Sequence, residues 1–217
     1  MSTCRTGTGP LTAAELEDWY AVPLGRADGT WVRAGLVTSL DGRAAGPDGL
    51  SGSLNRGSAG DHAVFDHLRR WADVVVVGAG TVRDEGYGPL PAVPLVVVSR
   101  SGDVPARLRR AAESGTRDGP AVVVLDGHGE DVDPGRVLTE VASRGWRRVL
   151  LEGGPQLLGT WLEADAVDEL CATVRPVLVG GDGPLLVPRS TSLRGPVGST
   201  THLLAWEGDV LVRTRLR

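Results

Sequence analysis

The chain has 217 residues, of which 41% are hydrophobic and 23% are charged, an ordinary balance for a single folded unit. Its formal net charge of −4 gives no overall attraction to nucleic acid or to an anionic membrane. No apolar run approaches the roughly 20 residues that span a bilayer, and Cys4 and Cys171 do not form the pattern of a disulfide framework or a metal site. We expect a cytoplasmic protein without bound metal, whose partner is a small molecule rather than nucleic acid or a membrane.

Short runs rich in valine and leucine predict buried strands along most of the chain. They cover residues 32–40, 74–77, 95–98, 122–125 and 149–151. Between the strands, helical spacing of apolar residues predicts helices that cover the sheet. The first helix follows a capping pattern formed by Ser58 and Asp61 and has Val64, Leu68 and Trp71 on one face. The same spacing recurs at 137–141 and 157–162.

The pattern changes after Asp168. Residues 169–174 and 176–179 look extended, and 201–206 faces 210–216 across a Glu-Gly-Asp turn, which predicts an antiparallel hairpin. The predicted fold class is therefore α/β, with a mostly parallel central sheet flanked by helices and a C-terminal antiparallel hairpin.

A glycine turn follows the predicted strand at 74–77. Gly78 and Gly80 supply half of a dinucleotide fingerprint, but Arg83 occupies the third glycine position. The glycines and proline within 86–89 argue against a helix after this turn. We interpret it as a strand end at which backbone approaches a ligand closely and Thr81 offers a hydroxyl.

Two further strand ends carry groups suited to phosphate. Gly153 and Gly154 lead from a strand into a predicted helix that begins at Pro155, so free N–H groups and the helix dipole favour a pyrophosphate there. The Ser99-Arg100-Ser101 loop combines two hydroxyls with a guanidinium, which matches the 2′-phosphate of NADPH. Together the three strand ends predict NADPH as cofactor.

Four segments, in order, resemble the riboflavin-biosynthesis pyrimidine reductase family of the RibD C-terminal-domain type. They are VTSLDGRAA (37–45), LRRWADVVVVGAGTVRDEGYGPL (68–90), LVVVSR (95–100) and LLEGGPQLLGTWLEADAVDEL (150–170). The resemblance implies one dihydrofolate reductase-like domain over 31–217 after an N-terminal extension at 1–30, and a homodimer. It also implies NADPH-dependent reduction of the ribosylamino group of a phosphorylated aminopyrimidine.

The resemblance implies site residues as well. Those that fall where the family contacts NADPH are Val37, Thr81, Glu85, Ser99, Gly153, Gly154, Pro155, Gln156 and Leu157, to which the loop reasoning adds Arg100. Those that fall where it contacts substrate are Ser53, Arg69 and Glu152. Asp41 or Glu152 is the candidate for gripping the pyrimidine's N–H edge or relaying a proton, and the sequence leaves open which of the two does so.

The chain departs from the family pattern at two positions near the substrate. The segment that begins at Asp84 contains no arginine until Arg100, and Asn55 stands where a tryptophan is common. An unphosphorylated pyrimidine-like metabolite, a pterin or dihydrofolate is therefore an alternative substrate. A protein that binds NADPH without turnover is a second alternative.

Overall fold

The computed structural model describes residues 4–22, 29–115, 119–193 and 198–216. The strands are β1 (Arg5–Thr8), β2 (Trp31–Ser39), β3 (Val74–Gly78), β4 (Leu95–Ser99), β5 (Val122–Asp126), β6 (Arg148–Leu151), β7 (Glu169–Arg175), β8 (Ser199–Trp206) and β9 (Asp209–Arg215). The helices are α1 (Ala13–Trp19), α2 (Ser51–Leu54), α3 (Ala59–Trp71), α4 (Ala79–Asp84), α5 (Ala106–Ser114), α6 (Pro134–Ser143) and α7 (Pro155–Glu163).

The nine described strands form one sheet in the order β1-β8-β9-β7-β2-β6-β3-β4-β5. Among them β9 alone runs antiparallel to its neighbours, because it returns from β8 across the Glu207-Gly208 turn and pairs with β7 on its other side. The predicted α/β class with a mostly parallel sheet and a C-terminal antiparallel hairpin is confirmed. No described helix is long and apolar enough to cross a membrane.

Alternation along β3 explains why its valine run is buried throughout. Val75 and Val77 join one core cluster, whereas Val74 and Val76 join the other, on the opposite face of the sheet. Both faces are covered by helices, as parallel strands require. The predicted helix after Ser58 is confirmed as α3, since the Ser58 hydroxyl accepts the N–H of Asp61.

Two expectations about local structure are wrong. A helix of six residues, α4, does follow the Gly78 turn. Gly86 lies two residues beyond the end of this helix and has a positive φ of 66°, so it terminates the helix and does not prevent it from forming. Residues 176–179 form no strand: Pro176 has no N–H, and Val179 donates its N–H to the Asp41 carboxylate instead of to a ladder.

The described part of the segment before Trp31 is integrated into the sheet. β1 pairs parallel with β8, and α1 begins at a capping box in which Thr12 and Glu15 bond reciprocally. The predicted extension also includes residues 1–3 and 23–28, which lie outside the described residues. The Thr12 and Glu15 capping pattern could have predicted the start of α1 from the sequence.

A buried network of charges ties this segment to the sheet. Glu169 on β7 is paired with Arg33 on β2 and Arg213 on β9, both through Nε at 2.5 Å, and all three side chains are almost fully buried. The two guanidinium groups also donate to the carbonyls of residues 19–21 after α1. One carboxylate therefore compensates two cations, which in turn hold the end of α1.

Replacing this carboxylate should destabilise the fold. Glu169→Gln leaves two buried guanidinium groups without a counter-charge, so we expect a loss of about 3–5 kcal/mol in the free energy of unfolding. Urea denaturation measures it, with Glu113→Gln at an exposed position as the matched control. A loss no larger than that of the control would contradict a structural role for the network.

Candidate active site

The early end of β6 opens a crevice in the sheet. Leu151, its last residue, lies opposite Ala34 of β2, but β2 continues to Ser39 beside β7. Residues 35–37 therefore have a strand neighbour on one side only. A cavity of about 300 Å³ fills the space on the other side, at the carboxyl end of the parallel strands where open α/β sheets bind ligands.

Side chains from several parts of the chain line this cavity. The polar residues among them are Ser51, Asn55, Asp61, Thr81, Asp84, Glu85, Tyr87 and Glu152. Leu36, Val37, Phe65 and Pro155 supply apolar surface. The cavity therefore combines apolar walls with carboxylates and hydroxyls, which suits a flat polar ring.

Glu152 lies at the cavity floor, directly after β6. Its carboxylate accepts two hydrogen bonds of 2.7 Å from the Arg69 guanidinium and one of 2.7 Å from the Tyr87 hydroxyl. Arg69 in turn lies 4.4 Å over the Phe65 ring. Burial, with the nearby Glu152 charge, raises the pKa of Tyr87, so its phenol stays a neutral donor.

Asp61 is a second buried carboxylate at the cavity, and the sequence identified it only as part of a helix cap. It lies in the first turn of α3 and lines the cavity opposite β2. Burial raises the pKa of Asp61, while hydrogen bonds from Thr173 and Asn55 lower it. It forms no ion pair among the described residues, unlike Glu152.

The two predicted glycine turns pack against each other. The Gly78 N–H donates to the Gly153 carbonyl at 2.8 Å, and Gly153 has a positive φ of 79° that favours glycine. A side chain on Gly154 would meet the Thr81 hydroxyl at 2.7 Å. The N-termini of α4 and α7 therefore lie together, and the free N–H groups of the nine-residue α7 face this junction.

A second cavity, of about 240 Å³, lies along the same turns. Its lining includes Gly78, Ala79, Gly80, Arg83, Ser99, Arg100, Ser101, Asp131, Gln156, Leu157 and Thr160. Arg100 is 70% exposed, and its Nε lies 3.8 Å from the Asp131 carboxylate. The Ser99 side chain is buried and donates to the Asp103 carbonyl at 3.4 Å.

The structure brings most of the predicted residues to these two cavities. Val37 and Glu85 line the first, and Glu85 also accepts the Ser51 N–H at 2.5 Å. Ser53 is not part of its lining, and its hydroxyl donates to the carbonyl of Leu50, the residue before α2.

Asp41 lies outside both cavities. Its carboxylate accepts hydrogen bonds from the Ser39 hydroxyl and from the N–H groups of Val179 and Gly180, which lowers its pKa below the usual range. This carboxylate holds the loop after β7 in place. A catalytic role for Asp41 therefore stays a prediction with no supporting contact among the described residues.

Comparison with known proteins identifies the family. A model of the RibD C-terminal domain matches residues 30–207. The chain belongs to the RibD C-terminal domain family. RibD of Mycobacterium tuberculosis is 31% identical over 209 residues, which cover 92% of this chain and 55% of that protein. The chain thus spans about half the length of these RibD relatives.

Other members and neighbours agree with the fold. The 2,5-diamino-6-ribosylamino-4(3H)-pyrimidinone 5′-phosphate reductase of Archaeoglobus fulgidus is 25% identical, over 76% of this chain and 89% of that protein. A pyrimidine reductase-like protein of Corynebacterium diphtheriae is 22% identical with a TM-score of 0.72, covering 95% of this chain and 99% of that one.

The fold is also that of dihydrofolate reductase. The Enterococcus faecalis enzyme, named as a complex with NADP(H), superposes with a TM-score of 0.55 at 16% identity, covering 88% of this chain and 98% of that one. The predicted dihydrofolate reductase-like fold is confirmed.

The raised pKa of Asp61 gives a pH-dependent prediction. The pKa of Asp61 in the folded state lies above the ordinary value of 3.8, so protonation favours the folded state. The free energy of unfolding therefore falls as the pH rises from the ordinary pKa to the raised pKa of the folded state. Asp61→Asn removes this loss. We expect the stability of the variant relative to wild type to increase as the pH rises above the ordinary carboxyl pKa of about 4.

Urea denaturation at several pH values measures this difference. Asp66→Asn, an exposed acid on the same helix, is the matched control and should show no such trend. If the difference in the free energy of unfolding between Asp61→Asn and wild type did not change with pH, burial would not raise the pKa of Asp61.

Proposed function

We propose that the protein is an NADPH-dependent reductase of an aminopyrimidine or a closely related nitrogen heterocycle. The observation that carries the proposal is that the same two turns line both cavities. Thr81, Gly154 and Pro155 border the first, whereas Gly78, Gly80 and Leu157 border the second. One elongated dinucleotide would then lie across the turns with its reactive ring beside the substrate.

The residues at the second cavity fit the phosphates of this cofactor. The free N–H groups at the start of α7 would hold the pyrophosphate, since backbone donors and the helix dipole both favour an anion there. The exposed Arg100 guanidinium, beside the hydroxyl of Ser101, would bind the 2′-phosphate. Gly154 would bring backbone close to the cofactor, where a larger side chain meets Thr81.

The first cavity would hold the acceptor ring against the nicotinamide. NADPH supplies the hydride when bound, so the protein has to position the ring and deliver a proton to nitrogen as carbon is reduced. We assign the proton transfer to Asp61, because it lines this cavity, burial raises its pKa and so favours the protonated form, and it forms no ion pair among the described residues.

Glu152 has a different role in this proposal. Its charge is balanced by Arg69, and the Tyr87 hydroxyl fixes its orientation. It would accept N–H groups of the acceptor and position the ring rather than supply a proton. Arg69 would then act by holding Glu152, although the sequence suggested direct contact with substrate.

NADPH oxidation, followed by loss of absorbance with an aminopyrimidine or a pterin as acceptor, tests the function. Asp61→Asn should lower kcat/KM about 100-fold through loss of proton transfer, with little change in the Kd for NADPH. Asp66→Asn serves as the control for the loss of one acidic charge on α3. Binding of NADPH without oxidation by any acceptor would instead support a non-catalytic protein.

Cofactor choice is tested at Arg100. Arg100→Ala should raise the Kd for NADPH roughly 10-fold or more, because a charge-assisted hydrogen bond to phosphate contributes about 1.5–3 kcal/mol. The Kd for NADH should change less than about 2-fold, since NADH lacks the 2′-phosphate. Arg70→Ala, at an exposed position on α3, is the control. Equal effects on both cofactors would remove the assignment of Arg100.

A further inference from the structure

We propose that the first cavity takes an unphosphorylated nitrogen heterocycle that presents hydrogen-bond donors, and that it discriminates against ribosyl 5′-phosphates. This inference rests on the proposed function, because it assigns that cavity to the acceptor. It departs from the Archaeoglobus relative, whose name specifies a 5′-phosphate. The charges around the cavity favour an unphosphorylated heterocycle over a ribosyl 5′-phosphate.

The lining of the cavity is acidic. It includes four carboxylates, from Asp61, Asp84, Glu85 and Glu152, and among the described residues that line it there is no arginine, lysine or histidine. A phosphate monoester carries a charge of about −1.5 to −2 at neutral pH. Placed among these groups, it would lose water without gaining a cationic partner.

Three arginines on the surrounding elements donate to protein acceptors. Arg69 is held by both oxygens of Glu152, at 2.7 Å each. Arg107 donates to the Tyr87 carbonyl at 2.7 Å, and Arg83 donates to the Asp103 carbonyl at 3.0 Å. Recruiting Arg69 for a phosphate would leave Glu152 buried without its counter-charge, which is unfavourable.

The same lining suits the N–H edge of a neutral ring. An ionised carboxylate only accepts hydrogen bonds, so Glu152 selects groups that donate, such as ring N–H and exocyclic amino groups. Asp61 lines the same cavity and offers a second polar contact. Leu36 and Phe65 provide apolar surface for the faces of the ring.

A neighbouring cavity gives the competing possibility for a phosphate tail. It shares Pro155 and Pro184 with the first cavity and is bordered by Arg43 and Arg189. The Arg43 guanidinium already donates to the carbonyls of Gly181 and Gly183. Because Arg43 is engaged in this way, a phosphate bound in the neighbouring cavity would depend on Arg189. Substitution of Arg189 therefore tests whether this cavity binds the phosphate.

The experiment compares 5-amino-6-ribosylaminouracil with its 5′-phosphate by titration calorimetry in the presence of saturating NADP⁺. We expect the unphosphorylated compound to bind at least about 10-fold more tightly, the equivalent of one charge-assisted contact. Asp84→Asn should narrow this preference by about 3-fold or more, whereas Asp66→Asn should not. Equal or tighter binding of the 5′-phosphate, or binding of neither compound, would overturn the inference.

Two further results distinguish this inference from the proposed function. Arg189→Ala should leave the affinity for the 5′-phosphate unchanged, and a 10-fold loss would show that the neighbouring cavity accepts the phosphate and would overturn the inference. Titration with NADPH alone tests the cofactor separately. A protein that binds the unphosphorylated heterocycle but no NADPH would overturn the proposed function and leave the preference for this heterocycle standing.

Discussion

The short length of β6 is the constraint on which the candidate site depends. Because this strand ends after four residues while β2 continues for five more beside β7, the sheet divides and leaves one side of β2 open. The residue that follows the strand, Glu152, is thereby placed on the floor of the opening. A longer β6 would pair with residues 35–37 and fill the cavity with backbone.

Buried carboxylates serve two different purposes in this fold. Glu169 is surrounded by two guanidinium groups and fixes three neighbouring strands and the end of α1. Asp61, at the cavity, has hydrogen bonds but forms no ion pair among the described residues. Compensated charge suits a structural role, whereas burial that raises the pKa of a carboxylate favours its protonated form, as the proposed proton transfer from Asp61 requires. The surroundings of each carboxylate therefore indicate its use.

Local sequence patterns predicted the strands from β2 onward and the two glycine turns, because valine runs and glycines act through neighbouring residues, but they did not predict β1. Contacts between distant segments were not readable in this way. Arg69 was assigned to substrate binding because its actual partner, Glu152, lies 83 residues away in the sequence and no local pattern indicates the pair. Asp61 was interpreted as part of a helix cap, because its burial and its hydrogen bond with Thr173 depend on residues that are distant in the sequence. The missed helix α4 has only six residues, too few for a periodic pattern.

The paired turns separate two regions of opposite electrostatic character. On one side, helix N-termini and Arg100 provide positive potential along the second cavity. On the other side, carboxylates dominate the first cavity. A phosphorylated dinucleotide lying across the turns would therefore have one favourable orientation, with its phosphates toward Arg100 and its uncharged dihydronicotinamide toward Asp61. Under the proposed function, the same division would place phosphate recognition on the cofactor side and leave the ring of the acceptor to be bound in the first cavity.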